Sequence, residues 1–384
     1  MWAGRTYAGL PTTFGTAWGR PVSLAGDVGG IWDMPDGARP DQAMGIIVYL
    51  HGFGGTMVDG TSRLAGTPRR AARRGNGFYR FSLQGTHTFG GTNRTWNGPN
   101  SLLPLNTSFP WLQSTAYIVG DRRTCNGNQY ICMIAGTSAA SGTGPSGTGA
   151  AIADGAGALV WRCIWAGRVH DDAIPDVDFI AGVGRTVGGV FLPMGVIREF
   201  ALTSGRAIDF SQIWVGGYST GGGEAYVLLR QHADLFCGAF VLSGVDCTGP
   251  TGDHNYAPPT RGCIIVHAHG TADGQVNDED VPPNASTAAV GSHPGQQTSV
   301  QQLIREMGWS GAEVVVDTGA VIDITATAGS ETKVWAPTAD IVDVKGNNIR
   351  ARMLQMVGDG HTASLNNEAY RYVTNMFDDN PRTP

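Results

Sequence analysis

Charge is scarce in this chain. Only 15% of its 384 residues are Asp, Glu, Lys or Arg, and 26 basic against 32 acidic side chains leave a formal net charge of −6. A mildly acidic surface gives no electrostatic reason to expect a nucleic-acid partner. The one basic cluster, Arg69-Arg70-Ala71-Ala72-Arg73-Arg74, has helical spacing and reads as a solvated helix face. Long hydrophobic runs are also missing: no apolar stretch reaches the roughly 18 residues of a membrane span. The opening residues Met1-Trp2-Ala3-Gly4-Arg5 lack the continuous apolar segment of a secretory signal. Neither a CxxC spacing nor a Cys/His cluster points to zinc, so no metal is expected.

Glycine, by contrast, is abundant at 57 residues, and one group of glycines carries the strongest signal. Gly217-Tyr218-Ser219-Thr220-Gly221 has the G-x-S-x-G pattern of a nucleophile elbow. This strand-to-helix turn is so tight that small residues must flank the nucleophile. Ser211-Gln212-Ile213-Trp214-Val215 before it suits a buried strand, and Glu224 to Arg230 after it favours helix. Ser219 is therefore the candidate nucleophile.

A serine hydroxyl needs a histidine to remove its proton, and the histidine needs a carboxylate to fix its tautomer. After this type of elbow the chain order is Ser, then Asp or Glu, then His. The apolar strand Cys263 to Ala268 leads into Gly270-Thr271-Ala272-Asp273-Gly274, which places Asp273 on a loop beyond a strand end. Arg352 to Val357 reads as another strand and runs into Gly358-Asp359-Gly360-His361-Thr362. His361 is the expected base and Asp273 the expected acid, with Asp246 as the substitute acid. Upstream, the buried-strand run Ile46 to Leu50 precedes His51-Gly52-Phe53-Gly54-Gly55. That loop can supply one oxyanion-hole N–H, from Phe53, to act with the N–H of Thr220.

Tyr49-Leu50-His51-Gly52, Arg94-Thr95-Trp96-Asn97, Asp176-Val177-Asp178-Phe179-Ile180, Gly217 to Gly222, His269-Gly270-Thr271-Ala272-Asp273 and Gly358 to Thr362 occur in one order. In this order the chain resembles the secreted feruloyl esterase and polyhydroxybutyrate depolymerase family of α/β-hydrolases, over roughly residues 40–105 and 168–378. The resemblance implies a carboxylic ester hydrolase that forms an acyl-enzyme, with Ser219, Asp273 and His361 at the triad positions. It places Trp96 beside the active-site entrance and His51, Gly52 and Tyr218 among the substrate-binding residues. The expected partner is an ester substrate, carried by plant cell-wall polysaccharide or by a polyester, and glycan deacetylation belongs to the same chemical class. A noncatalytic, glycan-binding adhesion or tail component is the reading from another class. No cofactor is implied, because a serine triad needs neither metal nor nucleotide.

The stretch 109–167 departs from this pattern. Spaced aromatic residues, alternating apolar positions and glycine-rich turns argue for a few short strands, and the run of small residues from Gly136 to Gly155 for a loop. It is similar to small β modules, related to chitin-binding domains, that recur in phage tail proteins. Glycan binding by such a module is one reading and a structural insert or lid the favoured one. The expected organisation is a discontinuous hydrolase, 1–108 and 168–384, interrupted by this module.

The fold class expected is α/β, a mostly parallel doubly wound sheet of the α/β-hydrolase type. Its strands should include 45–50, 213–217, 238–243, 263–268 and 351–357, and its helices about 171–184, 221–232, 297–307 and 366–377. The acidic residues near Asp171 and Asp178 suit a helix N-terminus better than a cation site, and 310–350 should form edge strands. Six cysteines allow 15 pairings. Cys237 and Cys263 each open an apolar strand, and the two strands should lie side by side, so their bridging is geometrically reasonable; at least one disulfide and an oxidising compartment are expected. Localisation follows as extracellular or virion-associated, through a signal removed from the chain or another route.

Overall fold

The computed structural model describes residues 13–18, 21–24, 27–34, 41–63, 77–85, 87–89, 93–96, 111–117, 122–126, 128–147, 151–155, 158–165, 176–187, 190–244, 261–276, 295–307, 315–325, 331–337, 341–342, 348–361, 365 and 367–379. The Arg69–Arg74 cluster, Asp171, Asp246 and Cys247 lie outside them.

Strands that read as continuous apolar runs are those a parallel sheet buries on both faces. All seven residues of Met44–Leu50, all five of Gly238–Leu242 and all seven of Ile264–Gly270 are buried. Among the described residues they form the middle of a 12-stranded sheet. Across its centre the order is Phe78–Leu83, Met44–Leu50, Ile208–Tyr218, Gly238–Leu242, Ile264–Gly270 and Asn348–Met356, every neighbour parallel. Antiparallel strands finish both sides: Gly30–Asp33 beside Phe78–Leu83, and Thr332–Ala336 followed by Val316–Ile322 beyond Asn348–Met356. The chain fills one side of Met44–Leu50 and then crosses to the other. Open α/β sheets place ligands at such a switch, beyond the carboxyl ends of the strands.

Side-chain alternation along the strands feeds two cores. Ile213 and Val215 join Ile265, Tyr226, Val300 and Leu303 in one, while Trp214 joins Ile264, Val266, Leu354 and Phe377 in the other. The helices Thr220–Gln231 and Gln296–Glu306 thus cover one face, and Asn367–Asp379 covers the opposite one. Trp214 and Phe377 stack with ring centroids 3.8 Å apart. Burying an aromatic side chain of this size contributes roughly 1.5–3 kcal/mol. This is an α/β-hydrolase fold. Among the described residues no helix is long and apolar enough to cross a membrane.

Three helices match expectation within two residues at each end, and the 310–350 segment supplies edge strands as expected. The helix expected over 171–184 ends earlier. Among the described residues Asp176–Ala181 is helical, and after Gly182 the chain turns into a hairpin of Val183–Val187 with Val190–Met194. The Gly182 N–H closes on Asp178 O at 2.9 Å, ending the helix where the β-branched Val183 begins a strand.

The Cys237–Cys263 bridge that strand order allows is not formed. Register places Ala239 opposite Ile265 on one face, and alternation would put both cysteines there. Cys237 instead precedes its strand and turns into the core with Trp214, while Cys263 packs in the other core against Met307 Sδ at 3.7 Å. The two thiols occupy opposite sides of the sheet.

Residues Arg122–Cys125, Asn128–Ile134, Ile152–Ala153 and Val160–Trp165 form a separate four-stranded antiparallel sheet. It has its own core of Tyr117, Tyr130, Cys132, Leu159 and Trp161. Inside it the Asp154 carboxylate accepts hydrogen bonds from the indole N–H of Trp111 (2.5 Å) and of Trp161 (2.8 Å). Tyr117, Tyr130 and Trp161 are therefore core residues rather than rings displayed to a sugar. The small-residue run is a loop from Ser138 to Gly147, with short strands at each end, Gly136–Thr137 and Ile152–Ala153.

Candidate active site

The elbow is built by steric exclusion. Ser219 joins the strand Ile208–Tyr218 to the helix Thr220–Gln231 with φ 54° and ψ −119°. That is a strained backbone for a residue with a side chain. It is tolerated because nothing bulky surrounds it. A Cβ on Gly217 would lie 2.0 Å from Gly221 O, and one on Gly221 would lie 2.3 Å from Leu50 O. A Cβ on Gly222 would approach Val241 Cγ1 to 2.9 Å, so the glycines after the serine let the helix press against neighbouring strand ends. The Ser219 N–H bonds Leu242 O at 2.9 Å, and its own carbonyl accepts the first helical N–H groups, from Gly222 and Gly223.

Asp273 and His361 come from loops beyond two adjacent strands, Ile264–Gly270 and Asn348–Met356. Backbone bonds tie these loops together: Thr271 N–H to Met356 O at 3.0 Å and Ala272 N–H to Asp359 O at 2.9 Å. The Thr271 hydroxyl oxygen also accepts from Gly358 N–H at 2.9 Å. Gly270 is required here, since a Cβ would stand 2.2 Å from Asp359 O. As a result His361 Nδ1 lies 2.7 Å from Asp273 Oδ2, and His361 Nε2 lies 3.0 Å from Ser219 Oγ. The three side chains named from sequence order meet in one hydrogen-bonded line.

Asp273 is fixed on both oxygens. Its Oδ1 accepts the N–H groups of Gln275 and Val276, each at 2.9 Å. Its Oδ2 accepts from His361 and also faces His269 Nε2 at 3.1 Å. Burial pushes this carboxyl up, but hydrogen bonds from His269, His361 and the Val276 amide outweigh it and hold it well below the usual carboxylate range. An ionised Asp273 keeps the His361 proton on Nδ1 and leaves Nε2 facing the serine as an acceptor.

The loop after Met44–Leu50 lies against the elbow. A Cβ on Gly52 would meet Tyr218 Cδ1 at 2.7 Å and Ser219 Cβ at 3.2 Å, so this loop needs glycine where it passes the nucleophile. Phe53 follows it with 46% of its surface exposed, and Thr220 opens the elbow helix. His51 Nε2 accepts from Gly85 N–H at 3.0 Å and from the Gln84 amide at 2.8 Å. The ring proton therefore sits on Nδ1, which donates to Gly52 O at 2.7 Å. The Trp96 indole N–H donates to His51 O at 2.6 Å, and the two rings pack 4.9 Å apart.

These contacts revise two roles. His51 is wholly buried and Trp96 only 8% exposed, so both brace the loop from behind; neither forms an entrance surface for substrate. Tyr218 is half-buried and its ring lies 5.2 Å from that of His361, which keeps it beside the reacting groups. Sequence reasoning missed Gln84, Tyr226, His267 and His269. The available signal was Ile264-Ile265-Val266-His267-Ala268-His269, two histidines on one face of an otherwise apolar buried strand.

No family model matches this chain. A stretch of 107 residues is 31% identical to a poly(3-hydroxybutyrate) depolymerase from Ralstonia pickettii, covering 28% of this chain and 22% of that enzyme. The chain thus matches about a fifth of the relative's length. Among solved structures, an acetyl xylan esterase from Aspergillus awamori is 13% identical, over 90% of this chain and 93% of that one, with a TM-score of 0.40. A Bacillus cereus carboxylesterase is 11% identical, over 91% and 93% of the two chains, with a TM-score of 0.38.

Proposed function

We propose that this α/β-hydrolase is a serine carboxylic ester hydrolase that works through an acyl-enzyme on Ser219. The observation that carries the reading is the line from Ser219 Oγ through His361 to Asp273, at 3.0 Å and 2.7 Å, set on a strained elbow.

His361 Nε2 takes the Ser219 proton as Oγ attacks the ester carbonyl carbon. The carbonyl oxygen becomes an oxyanion held by the N–H groups of Phe53 and Thr220. Collapse breaks the bond to the alcohol oxygen, which leaves with the proton from His361. Water then adds to the acyl-enzyme, giving its proton to His361, and the second collapse returns the proton to Ser219 and frees the acid. Asp273, ionised throughout, stabilises the imidazolium formed in each half.

For the acyl group, the six ordered motifs support a feruloyl-type hydroxycinnamoyl ester. A second reading, a polyester substrate, is supported by the local likeness to a poly(3-hydroxybutyrate) depolymerase and by the exposed Phe53 ring on the loop beside the nucleophile. A polymeric ester goes with an extracellular or virion-associated setting. Acetyl removal from a glycan is the third member of the class. A noncatalytic adhesion role gains no support from Tyr117, Tyr130 and Trp161 of the insert, which are buried in its core.

The test is hydrolysis of p-nitrophenyl butyrate, methyl ferulate, acetylated xylan and a polyhydroxybutyrate film by wild type and a folded Ser219→Ala protein. Wild-type turnover of at least one ester, lost in the variant, is expected, and the preferred ester selects among the readings. Equal activity in the two proteins would refute the assignment.

A further inference from the structure

Behind Asp273 lies a chain of buried polar rings that the acyl-transfer steps do not use. Tyr226, on the elbow helix, and His267 and His269, on the strand Ile264–Gly270, are each 0% exposed. Tyr226 OH is 2.8 Å from His267 Nδ1, and His267 Nε2 is 3.3 Å from His269 Nδ1. His269 Nε2 is 3.1 Å from Asp273 Oδ2 and 2.8 Å from Val276 O. Buried imidazoles are costly unless hydrogen-bonded, and Ile265 and Val266 show that this strand accommodates aliphatic side chains.

The proton positions follow from the acceptors. A backbone carbonyl can only accept, so the short contact to Val276 O places a proton on His269 Nε2, and the same N–H reaches Asp273 Oδ2. In the neutral ring Nδ1 then bears a lone pair, which receives the Nε2 proton of His267. His267 Nδ1 in turn accepts from the Tyr226 hydroxyl. Burial and the adjacent His269 ring push His267 well below the ordinary histidine range, against an opposing hydrogen bond to Gly244, so it stays uncharged.

We propose that His269 is a positioning residue, which Tyr226 and His267 hold in the tautomer that donates to Asp273 Oδ2, the oxygen that orients His361. This rests on the Ser219 esterase reading and extends it. The Gln275 and Val276 amides hold only Oδ1; His269 is the described group other than His361 within hydrogen-bond reach of Oδ2. The groups facing His269 are His267 on its own strand, Asp273 and Val276 on the following loop and, through Asp273, His361 on the loop after Asn348–Met356.

The experiment measures kcat and the pH profile of kcat/KM with p-nitrophenyl butyrate in the full chain, for wild type, Ser219→Ala, His269→Ala, His269→Gln and Tyr226→Phe. Rates are normalised to serines titrated with a phosphonate, so loss of folded protein does not register. His269→Ala should lower kcat by about 10- to 100-fold, the loss that a misplaced catalytic group produces. Its acid limb should move to higher pH, because Oδ2 then spends more of its charge on the His361 imidazolium. His269→Gln, whose amide can donate to Oδ2, should recover most of both effects. Tyr226→Phe should lower kcat several-fold in wild type and add nothing in the His269→Ala background, since the two act through one carboxylate.

Wild-type kcat and an unmoved acid limb in His269→Gln, His269→Ala and Tyr226→Phe, with Ser219→Ala inactive, would overturn this inference and leave the esterase reading intact. Full additivity of Tyr226→Phe with His269→Ala would also overturn it. Turnover by Ser219→Ala would instead remove the esterase reading itself. If His269→Ala yields no folded enzyme, His269→Gln and Tyr226→Phe carry the test.

Discussion

His361 Nδ1 stands 2.7 Å from Asp273 Oδ2, although 88 positions separate the two residues in the chain. Neither residue is placed by its own loop alone. Gly270, Thr271 and Ala272 on one side and Met356, Gly358 and Asp359 on the other lock the two loops into one unit. Replacing Asp273 with Asn should therefore leave the fold intact while the amide favours the wrong histidine tautomer. The expected loss of kcat is about 10⁴-fold, the size seen for this change in a serine protease triad. Steady-state kinetics with unchanged circular dichroism checks it.

The same carboxylate links stability to acid. Its folded pKa is depressed below the unfolded value of about 3.9. A depressed acid contributes stability that is fully present above the unfolded pKa and is lost as pH falls through the folded one. Wild type should thus lose melting temperature on acidification below about pH 4, and Asp273→Asn should lose less over the same range. Thermal melts from pH 6 to pH 2.5 measure the difference.

Glu224 has the opposite sign. Buried in the elbow helix, its carboxyl is pushed well above the usual range by desolvation and then by Asp176, and Oε1 has no hydrogen-bond partner among the described residues. A raised acid contributes stability below its unfolded pKa, about 4.3, that is lost as pH rises through the folded value. Glu224→Gln should therefore raise the melting temperature at pH 8 and change it little near pH 4. A gain that is equal at both values, or larger at pH 4, would contradict the burial account.

The small residues of the elbow make a steric prediction. A methyl group on Gly221 meets the Leu50 and His51 carbonyl oxygens at 2.3 and 2.5 Å, and backbone cannot move aside as a flexible side chain can. Gly221→Ala should cost about 1–3 kcal/mol or more of stability, the range for overpacking a filled site, together with activity. Chemical denaturation reads the first and ester turnover the second.

Trp96 separates loop bracing from substrate contact. Trp96→Phe keeps an aromatic ring on His51 but removes the hydrogen bond to His51 O, worth about 0.5–1.5 kcal/mol. Because the bond steadies the loop that carries the Phe53 N–H, kcat should fall several-fold with KM nearly unchanged. A rise in KM alone would return Trp96 to the substrate surface.

Much of this fold was legible because parallel strands buried on both faces are largely apolar, as Met44–Leu50 and Gly238–Leu242 are. The order Ser219, Asp273, His361 was legible because each follows such a strand at its carboxyl end. What escaped depended on direction in space. Adjacent strands bring Cys237 and Cys263 near each other, but the two thiols enter different cores. Aromatic spacing in the insert was visible, while the Asp154 carboxylate that draws the Trp111 and Trp161 indoles inward was not. The helix near Asp176 read as longer than it is because Gly182 marks its end by a local backbone bond, without any change in composition.

The most direct test of the account is to treat the protein with a fluorophosphonate, follow ester hydrolysis, and locate the adduct by peptide mass spectrometry. The account predicts one adduct, on Ser219, with hydrolysis lost in proportion to its formation. An adduct on another residue that tracks the loss, or hydrolysis that persists after Ser219 is fully modified, would contradict it.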